Sequence, residues 1–519
     1  SNRLSKYNYN WFSICKNTAY FMAAYSGLAE PQLAKAIAKK IHTDRIVPLQ
    51  AAKSTGTISK QDYQQYVTAI ESGVAQGLQD FNDYPKTRAL KKHSDVLHQF
   101  CSVTVKPPPP LHICIITKEF PRFAGRGGVG TLYYHLASEL LLMGHSVTIV
   151  APGQPDKFYR RGRFSVYYAE PCAAVSITSA PPAFRGNVDW AISAFHTVAR
   201  IHSQRPIDVI DSALWDTPAI AFGLLRPTRR PPLVVRLVTP FSKAARLNEW
   251  TIPAQEQEFF KQAEVHLIES ADAVVPISQS IADTVEADYG QTADSRWTLC
   301  HCGIAYWPFL DCNANYAELT ELVRFDGKTL PLPQTARIVL FVGRLEGRKG
   351  VDILLEAADT FLRVDPEALL VLAGKDVENW TAKAKKLLSK EISKRVIFLG
   401  EIDDSLREKL FHEAYCLIFP SRYESFGLVP LEAFVHGVPV IASSSGAIPE
   451  VVVHEDCGLL FPAGDSVDLA ACVVRLLKNK PLREQLSVGS LARVRKFSSR
   501  NSAINTVEIY QKLIKSRKT

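Results

Sequence analysis

The sequence has no apolar run long enough to cross a bilayer as a helix. Its nearest approach, Trp11 to Ala29, is broken by Lys16 and Asn17 and is followed by no cleavage-type signal, so neither a membrane span nor a secretory peptide is expected. Ten cysteines contain no Cys-x-x-Cys pair, and the run Cys300, His301, Cys302 has no second ligand cluster at zinc-site spacing. Free thiols follow, and with them a reducing, cytoplasmic setting. No Asp-x-Asp cluster is available to hold a divalent cation, and no segment interleaves aromatic with basic residues, so neither a metal nor nucleic acid is expected as a partner. What is present is ordinary for a globular protein: 46% hydrophobic and 22% charged residues. At 519 residues the chain is too long for one core, and two domains plus an extension are expected. Its net charge of +9 is spread along the chain apart from Arg226 to Arg230 and the Lys515 to Lys518 tail. A solvated basic surface explains it, and it would also suit anionic substrates or an acidic membrane face.

Residues 1–106 read as helical, with Leu33, Ile37 and Ile41 at helical spacing, and match no motif. Pro107 to Pro110 is a stiff break. Beyond it, Leu111 to Thr117 and Val147 to Pro152 are apolar strands flanking a helix from about Val129 to Met143, a β-α-β unit. Before that helix, Ala124 to Thr131 contains Gly125, Gly127, Gly128 and Gly130. The loop stands too far from the strand for a dinucleotide site, the second strand ends without an acidic residue, and Thr131 stands where a P-loop needs lysine. A loop whose backbone can approach a ligand ahead of a helix remains, as does a tight turn that merely needs glycine. Further strands are expected at Ile207 to Asp211, Leu233 to Val238, Ala273 to Pro276 and Trp297 to Cys300, with a helix from Pro253 to Ser270. Leu310 to Pro333 loses strand character and is expected to join two domains. A second alternating series follows, with strands Ile338 to Val342, Leu369 to Ala373, Val396 to Leu399, Tyr415 to Phe419, Val438 to Ala442 and Gly458 to Phe461.

Chemistry concentrates in two segments of that second series. Gly343, Arg344, Lys349 and Gly350 follow one strand, where a planar guanidinium fork and an ammonium would suit a diphosphate. Pro420 to Pro449 follows another, with Glu424 on a turn and Glu432 in the next helix. If that helix starts near Phe426, Glu432 lies about two turns in, at the reach of a second part of an extended ligand. A surface glutamate at a turn and a solvated helix glutamate are the plain alternatives.

The Pro420 stretch resembles the signature of the retaining glycosyltransferases of family 4, which have the GT-B fold. Their pattern P-S-x-x-E-x-F-G with a later Glu is present as Pro420, Ser421, Glu424, Phe426, Gly427 and Glu432. The resemblance implies an α/β protein of two Rossmann-like domains facing a cleft, with boundaries 107–310 and 335–497. A C-terminal helix, 498–519, is expected to pack back on the first domain. It implies that Glu424 contacts the donor sugar's hydroxyls, that Glu432 holds the nucleotide ribose, and that backbone N–H groups from Phe426 to Leu428 face the diphosphate. By the same resemblance Arg344 and Lys349, after Gly343, neutralise the leaving nucleoside diphosphate, and Gly127, Gly128 and Gly130 face the cleft near donor and acceptor. The implied activity is a metal-independent, hexosyltransferase-like transfer from a nucleotide sugar such as a UDP- or GDP-sugar to an unidentified acceptor. Residues 1–106 stay outside the resemblance and could contact a membrane surface or a protein. The family's acceptor-side histidines are missing: Val238 stands at one position, and Asp208, Asp211 and Asp216 are the ionisable groups near the other. Asp211 could substitute there, or could serve a cap or turn. A nucleotide-sugar sensor or scaffold with altered catalysis is the alternative function.

Overall fold

The computed structural model describes Cys15, Ala19 and residues 30–54, 58–83, 109–125, 127–155, 157–170, 181–248, 250–304 and 319–517. Most of Trp11 to Ala29, part of the proline break and the start of the expected interdomain connection lie outside the described residues. The chain divides into two compact units, Ser1–Pro109 and Pro110–Thr519. Among the described residues no helix is long and apolar enough to cross a membrane.

The first unit is helical. Leu33, Ile37 and Ile41 line one face of the Glu30–Ile41 helix and are buried against Leu49, Ala52, Ile58 and Ile70. The four-residue repeat is what one helix face requires. The Lys60–Asp83 helix starts where Ser59 and Asp62 exchange side-chain-to-backbone bonds of 3.0 and 3.2 Å, a reciprocal cap that satisfies two otherwise orphaned N–H groups.

Among the described residues the second unit holds two large sheets and a two-stranded one. Strands β1 (His112–Ile116), β2 (Ser146–Pro152), β3 (Phe158–Arg161), β4 (Phe164–Ala169), β5 (Val209–Ala213), β6 (Leu233–Leu237) and β7 (Ala273–Pro276) form a seven-stranded sheet in the order β3-β4-β2-β1-β5-β6-β7. Only β3, on the edge, runs antiparallel. The short hairpin β8 (Glu321–Val323) and β9 (Thr329–Pro331) precedes six parallel strands: β10 (Arg337–Val342), β11 (Ala368–Ala373), β12 (Val396–Gly400), β13 (Ala414–Phe419), β14 (Val440–Ser443) and β15 (Gly458–Phe461). Their order is β12-β11-β10-β13-β14-β15. Strands such as β1 and β5 are buried along their whole length. Covered on both faces by helices, they read as continuous apolar runs instead of alternating ones.

Each large sheet therefore has one place where consecutive connections leave in opposite directions: between β1 and β5 in the first, and between β10 and β13 in the second. The crevice beyond the strand ends at such a point is where open α/β sheets bind ligands.

Two expectations change, and one hairpin is new. Trp297 to Cys300 is not a full strand but one isolated bridge from Trp297 to Val274. The β3–β4 hairpin was not legible, because all four β3 residues are exposed and carry no apolar alternation. The connection before β10 contains the β8–β9 hairpin, whose Phe325 N–H bonds to Phe398 O at 3.0 Å. The final helix, Ser499–Ser516, leaves the second half and packs on the Gly128–Leu142 helix of the first. There Ser499 Oγ donates to Glu139 at 2.9 Å and Arg517 pairs with Asp272 at 2.8 Å.

Candidate functional site

At the second switch point, β10 is followed by a short turn, Gly347–Lys349, and β13 by Pro420 and Ser421. The turns touch. Gly350 has φ +73°, and a Cβ there would stand 2.1 Å from Pro420 O, so only glycine permits the approach. The contact carries Lys349 to Glu424, whose Oε1 accepts from Nζ at 2.5 Å. From the other side Gly446, at φ +57°, would put a Cβ 2.4 Å from Glu424 O, and Ala447 N–H bonds to that oxygen at 3.0 Å. Burial alone would raise the Glu424 pKa, but Lys349 and Arg348 beside it outweigh this and hold it below the usual carboxylate range. Glu424 is thus an anion, 13% exposed, bound to a cation that is 17% exposed.

Arg344 is far more open, 58% exposed, and pairs with Glu346 at 3.2 Å; Glu346 also holds Arg348 at 2.8 Å. Gly343, just before it, receives the sheet through its N–H to Ala373 O at 2.9 Å. The helix after Glu424 spans Leu428–Val435, with Gly427 at its N-cap and no side chain capping it. Its first N–H groups are left for an anion. Glu432 is the fifth residue of that helix, just over one turn in, and not two turns as the sequence suggested. Its carboxylate accepts from Arg407, and burial raises its pKa despite that cation. Phe426 is buried between His301 and Phe497, so its backbone alone can serve the site.

On the first half, Gly127 caps the Gly128–Leu142 helix without a side-chain partner. Glu119 occupies the loop: its Oε2 accepts from Gly130 N–H at 3.3 Å, and a Cβ on Gly127 would meet its carboxylate at 2.1 Å. Gly128 faces open space. The two acceptor-side expectations need correction. Asp211 lies inside β5 with no exposed surface, gripped by Arg236 at 2.9–3.1 Å, by Tyr133 Oη at 2.8 Å and by Tyr510 Oη at 2.5 Å. All its acceptor capacity is spent in the core, so it binds the final helix and no acceptor. Val238, 4% exposed, belongs to the same core.

The halves also meet directly. Glu450 Oε1 and Oε2 accept from Ser280 N–H at 2.8 Å and Gln279 N–H at 2.9 Å, and His301 Nε2 lies 3.1 Å from Oε2. The carboxylate thereby caps the Gln279–Tyr289 helix from across the cleft. Ser278 Oγ donates to Ser425 O at 2.8 Å, fastening the residue next to Glu424. Beside this contact an open cleft of about 520 Å³ is lined by Lys243, Arg246, Gln279, Asp288, Gly446 and Glu450. Sequence reading missed Glu119, Arg407 and Glu450; Arg407 and Glu450 act on partners 25 and 171 residues away, and Glu119 folds back onto the glycine loop eleven residues on. Among the described residues no group of three or more His, Cys, Asp or Glu side chains is arranged to hold a metal ion. The arrangement presents an anion-binding helix end and two cations beside carboxylates suited to hydroxyl groups.

Residues 324–490 match the family model of glycosyl transferases group 1, and residues 126–305 that of glycosyltransferase family 4. The chain is 25% identical over 423 residues to a glycogen synthase of Mycobacterium tuberculosis, covering 77% of this chain and 94% of that protein. Sucrose-phosphate synthase from Thermosynechococcus elongatus shares the fold, with a TM-score of 0.62 at 20% identity, over 78% of this chain and 100% of that one. The catalytic domain of starch synthase IV from Arabidopsis thaliana, bound to ADP and acarbose, superposes with a TM-score of 0.59 at 16% identity, over the same shares of the two chains.

Proposed function

The chain belongs to glycosyltransferase family 4 and has the GT-B fold, and from that premise we propose that it moves a sugar from a nucleoside-diphosphate donor to an acceptor hydroxyl with retention of configuration and without a metal. The observation that carries the reading is the Lys349–Glu424 pair across the second switch point, beside the uncapped end of the Leu428–Val435 helix. The barrier in such a transfer is charge separation between an oxocarbenium-like sugar and the departing diphosphate, so preorganised positive charge at the leaving group is the central need. Lys349, Arg344 and the helix N–H groups supply it. Glu424 receives sugar hydroxyls once Lys349 turns to the phosphate, and Glu432 receives the ribose hydroxyls when Arg407 yields. The bond from the anomeric carbon to the phosphate oxygen breaks, and the acceptor oxygen bonds to that carbon on the same face. The acceptor's proton goes to the leaving diphosphate, which explains how Val238 can stand where a histidine base would otherwise be sought.

A thermal-shift screen of UDP-, GDP- and ADP-sugars tests the donor, because a ligand bound only by the native state raises apparent stability. The best donor is then offered with a broad panel of acceptor hydroxyl compounds and followed for nucleoside diphosphate release. Wild type is expected to release it, and Lys349→Met to lose roughly a hundred- to a thousandfold in rate, the usual cost of removing one such stabilising group. Tight binding with no release above that variant would favour a sensor instead.

A further inference from the structure

The first sheet has a switch point of its own, and it is built like the second. Lys118 lies two residues past the end of β1 and Asp216 three residues past the end of β5, the two strands that flank the reversal. Lys118 Nζ stands 3.4 Å from Asp216 Oδ2, as Lys349 stands against Glu424 across the other switch point. Asn187, on the Pro182–Gln204 helix, closes the triangle: its Oδ1 accepts from Lys118 at 2.5 Å and its Nδ2 donates to Asp216 Oδ1 at 3.0 Å.

Two features mark the triangle as more than a surface ion pair. Asp216 and Thr217 are consecutive non-glycine residues with φ of +61° and +45°. Such conformations are strained and persist where the surroundings impose them, commonly at sites. Thr217 Oγ1 is buried there with no hydrogen-bond partner. The pair itself remains reachable, with Lys118 24% and Asp216 28% exposed.

We propose that Lys118, Asn187 and Asp216 form the acceptor-recognising clamp of this transferase, and that its acceptor is a neutral polyol, a sugar or cyclitol without phosphate at the bound end. The inference rests on the transferase reading above. Lys118 retains one N–H beyond those given to Asn187 and Asp216, and each Asp216 oxygen retains a lone pair. A pair of neighbouring hydroxyls, each able to donate and accept, matches that set. A phosphate matches it poorly, because the ammonium is already neutralised and the carboxylate would face a second anion. Asp216 thus takes the place at the strand's mouth that Asp211, buried five residues earlier, cannot fill.

The test uses the full chain with the nucleotide sugar it turns over fastest, labelled in the sugar. Four probes are offered at millimolar concentration: myo-inositol and maltotriose, and the anionic myo-inositol 1-phosphate and glucose 6-phosphate. Label is expected to pass to a neutral probe in preference to the phosphates. Asp216→Asn and Lys118→Met should each raise that probe's KM at least tenfold, with a larger effect on acceptor KM than on kcat or on donor KM. If Asp216→Asn fails to fold, Lys118→Met carries the comparison. Preference for a phosphorylated probe, donor hydrolysis without transfer to any probe, or an unchanged acceptor KM in the folded variants would overturn the clamp. Failure of every nucleotide sugar both to raise the apparent stability and to release nucleoside diphosphate with any probe would overturn the transferase reading itself.

Discussion

Single carboxylates in this protein do different work according to what surrounds them, and each difference is measurable. Glu432 is held by Arg407 at the start of the second turn of its helix. Glu432→Ala removes a charged hydrogen-bond acceptor worth about 1.5–3 kcal/mol, so affinity for free nucleoside diphosphate should fall roughly ten- to a hundredfold by calorimetry. Unchanged affinity would remove Glu432 from the donor site. Glu264 behaves otherwise. It is 2% exposed, accepts from Phe241 N–H at 2.9 Å and from Tyr289 Oη, and burial pushes its pKa up to about 8. The folded protein then keeps a proton that the unfolded chain releases near the ordinary value of about 4.3. Stability must fall as pH rises from that value to about 8, because the native state binds more protons across the window. Denaturation midpoints from pH 5 to 8 should show the fall in wild type and a flatter profile in Glu264→Gln; parallel profiles would place the effect elsewhere.

At the scale of elements, the final helix and the cleft contact are each secured by one buried or half-buried anion. Asp211 of β5 binds Arg236 of β6, Tyr133 of the Gly128–Leu142 helix and Tyr510 of the final helix. Asp211→Asn leaves Arg236, whose side chain is 2% exposed, without its countercharge. Breaking such a pair costs about 3–5 kcal/mol. Tyr510→Phe should cost less, about 1.5–3 kcal/mol, as it removes one bond and no charge. Urea denaturation checks both, and equal losses would show that the ion pair adds nothing beyond the hydroxyl. Across the cleft, Glu450→Ala strands the N–H groups of Gln279 and Ser280 and leaves His301 without its acceptor. The expected result is a larger radius of gyration in solution scattering together with a roughly tenfold lower kcat/KM for the donor, in line with the loss of charged hydrogen bonds. An unchanged radius and rate would show that Ser278 and Ser425 suffice.

For the whole molecule, every residue assigned to the donor lies in the unit Pro110–Thr519, while the unit Ser1–Pro109 has its own core of Leu33, Ile37, Leu49 and Ile70. A chain beginning at Pro110 is therefore expected to keep nucleotide affinity within about twofold by thermal shift or calorimetry, since no assigned donor contact is removed. A folded truncation that no longer bound nucleotide would assign the first unit a part in the donor site.

Local pattern alone determined much of this protein. Continuous apolar runs marked nearly all the parallel strands, because strands covered on both faces have no polar side to show. Helical spacing marked Leu33, Ile37 and Ile41, and the Pro420 to Glu432 motif marked the family. The solvent-exposed β3 had no such mark, nor did the long-range pairs. Lys349 and Glu424 stand 75 residues apart and Glu450 lies 171 residues from Gln279. No periodicity couples positions so distant; only the close turn at Gly350 and the docking of the two halves bring them together. The aspartates after Ile207 make the same point over five residues. Sequence named Asp208, Asp211 and Asp216 and singled out Asp211, but β5 ends at Ala213. Where the strand stops decides that Asp211 is walled into the core and that Asp216, three residues past its end, stays 28% exposed.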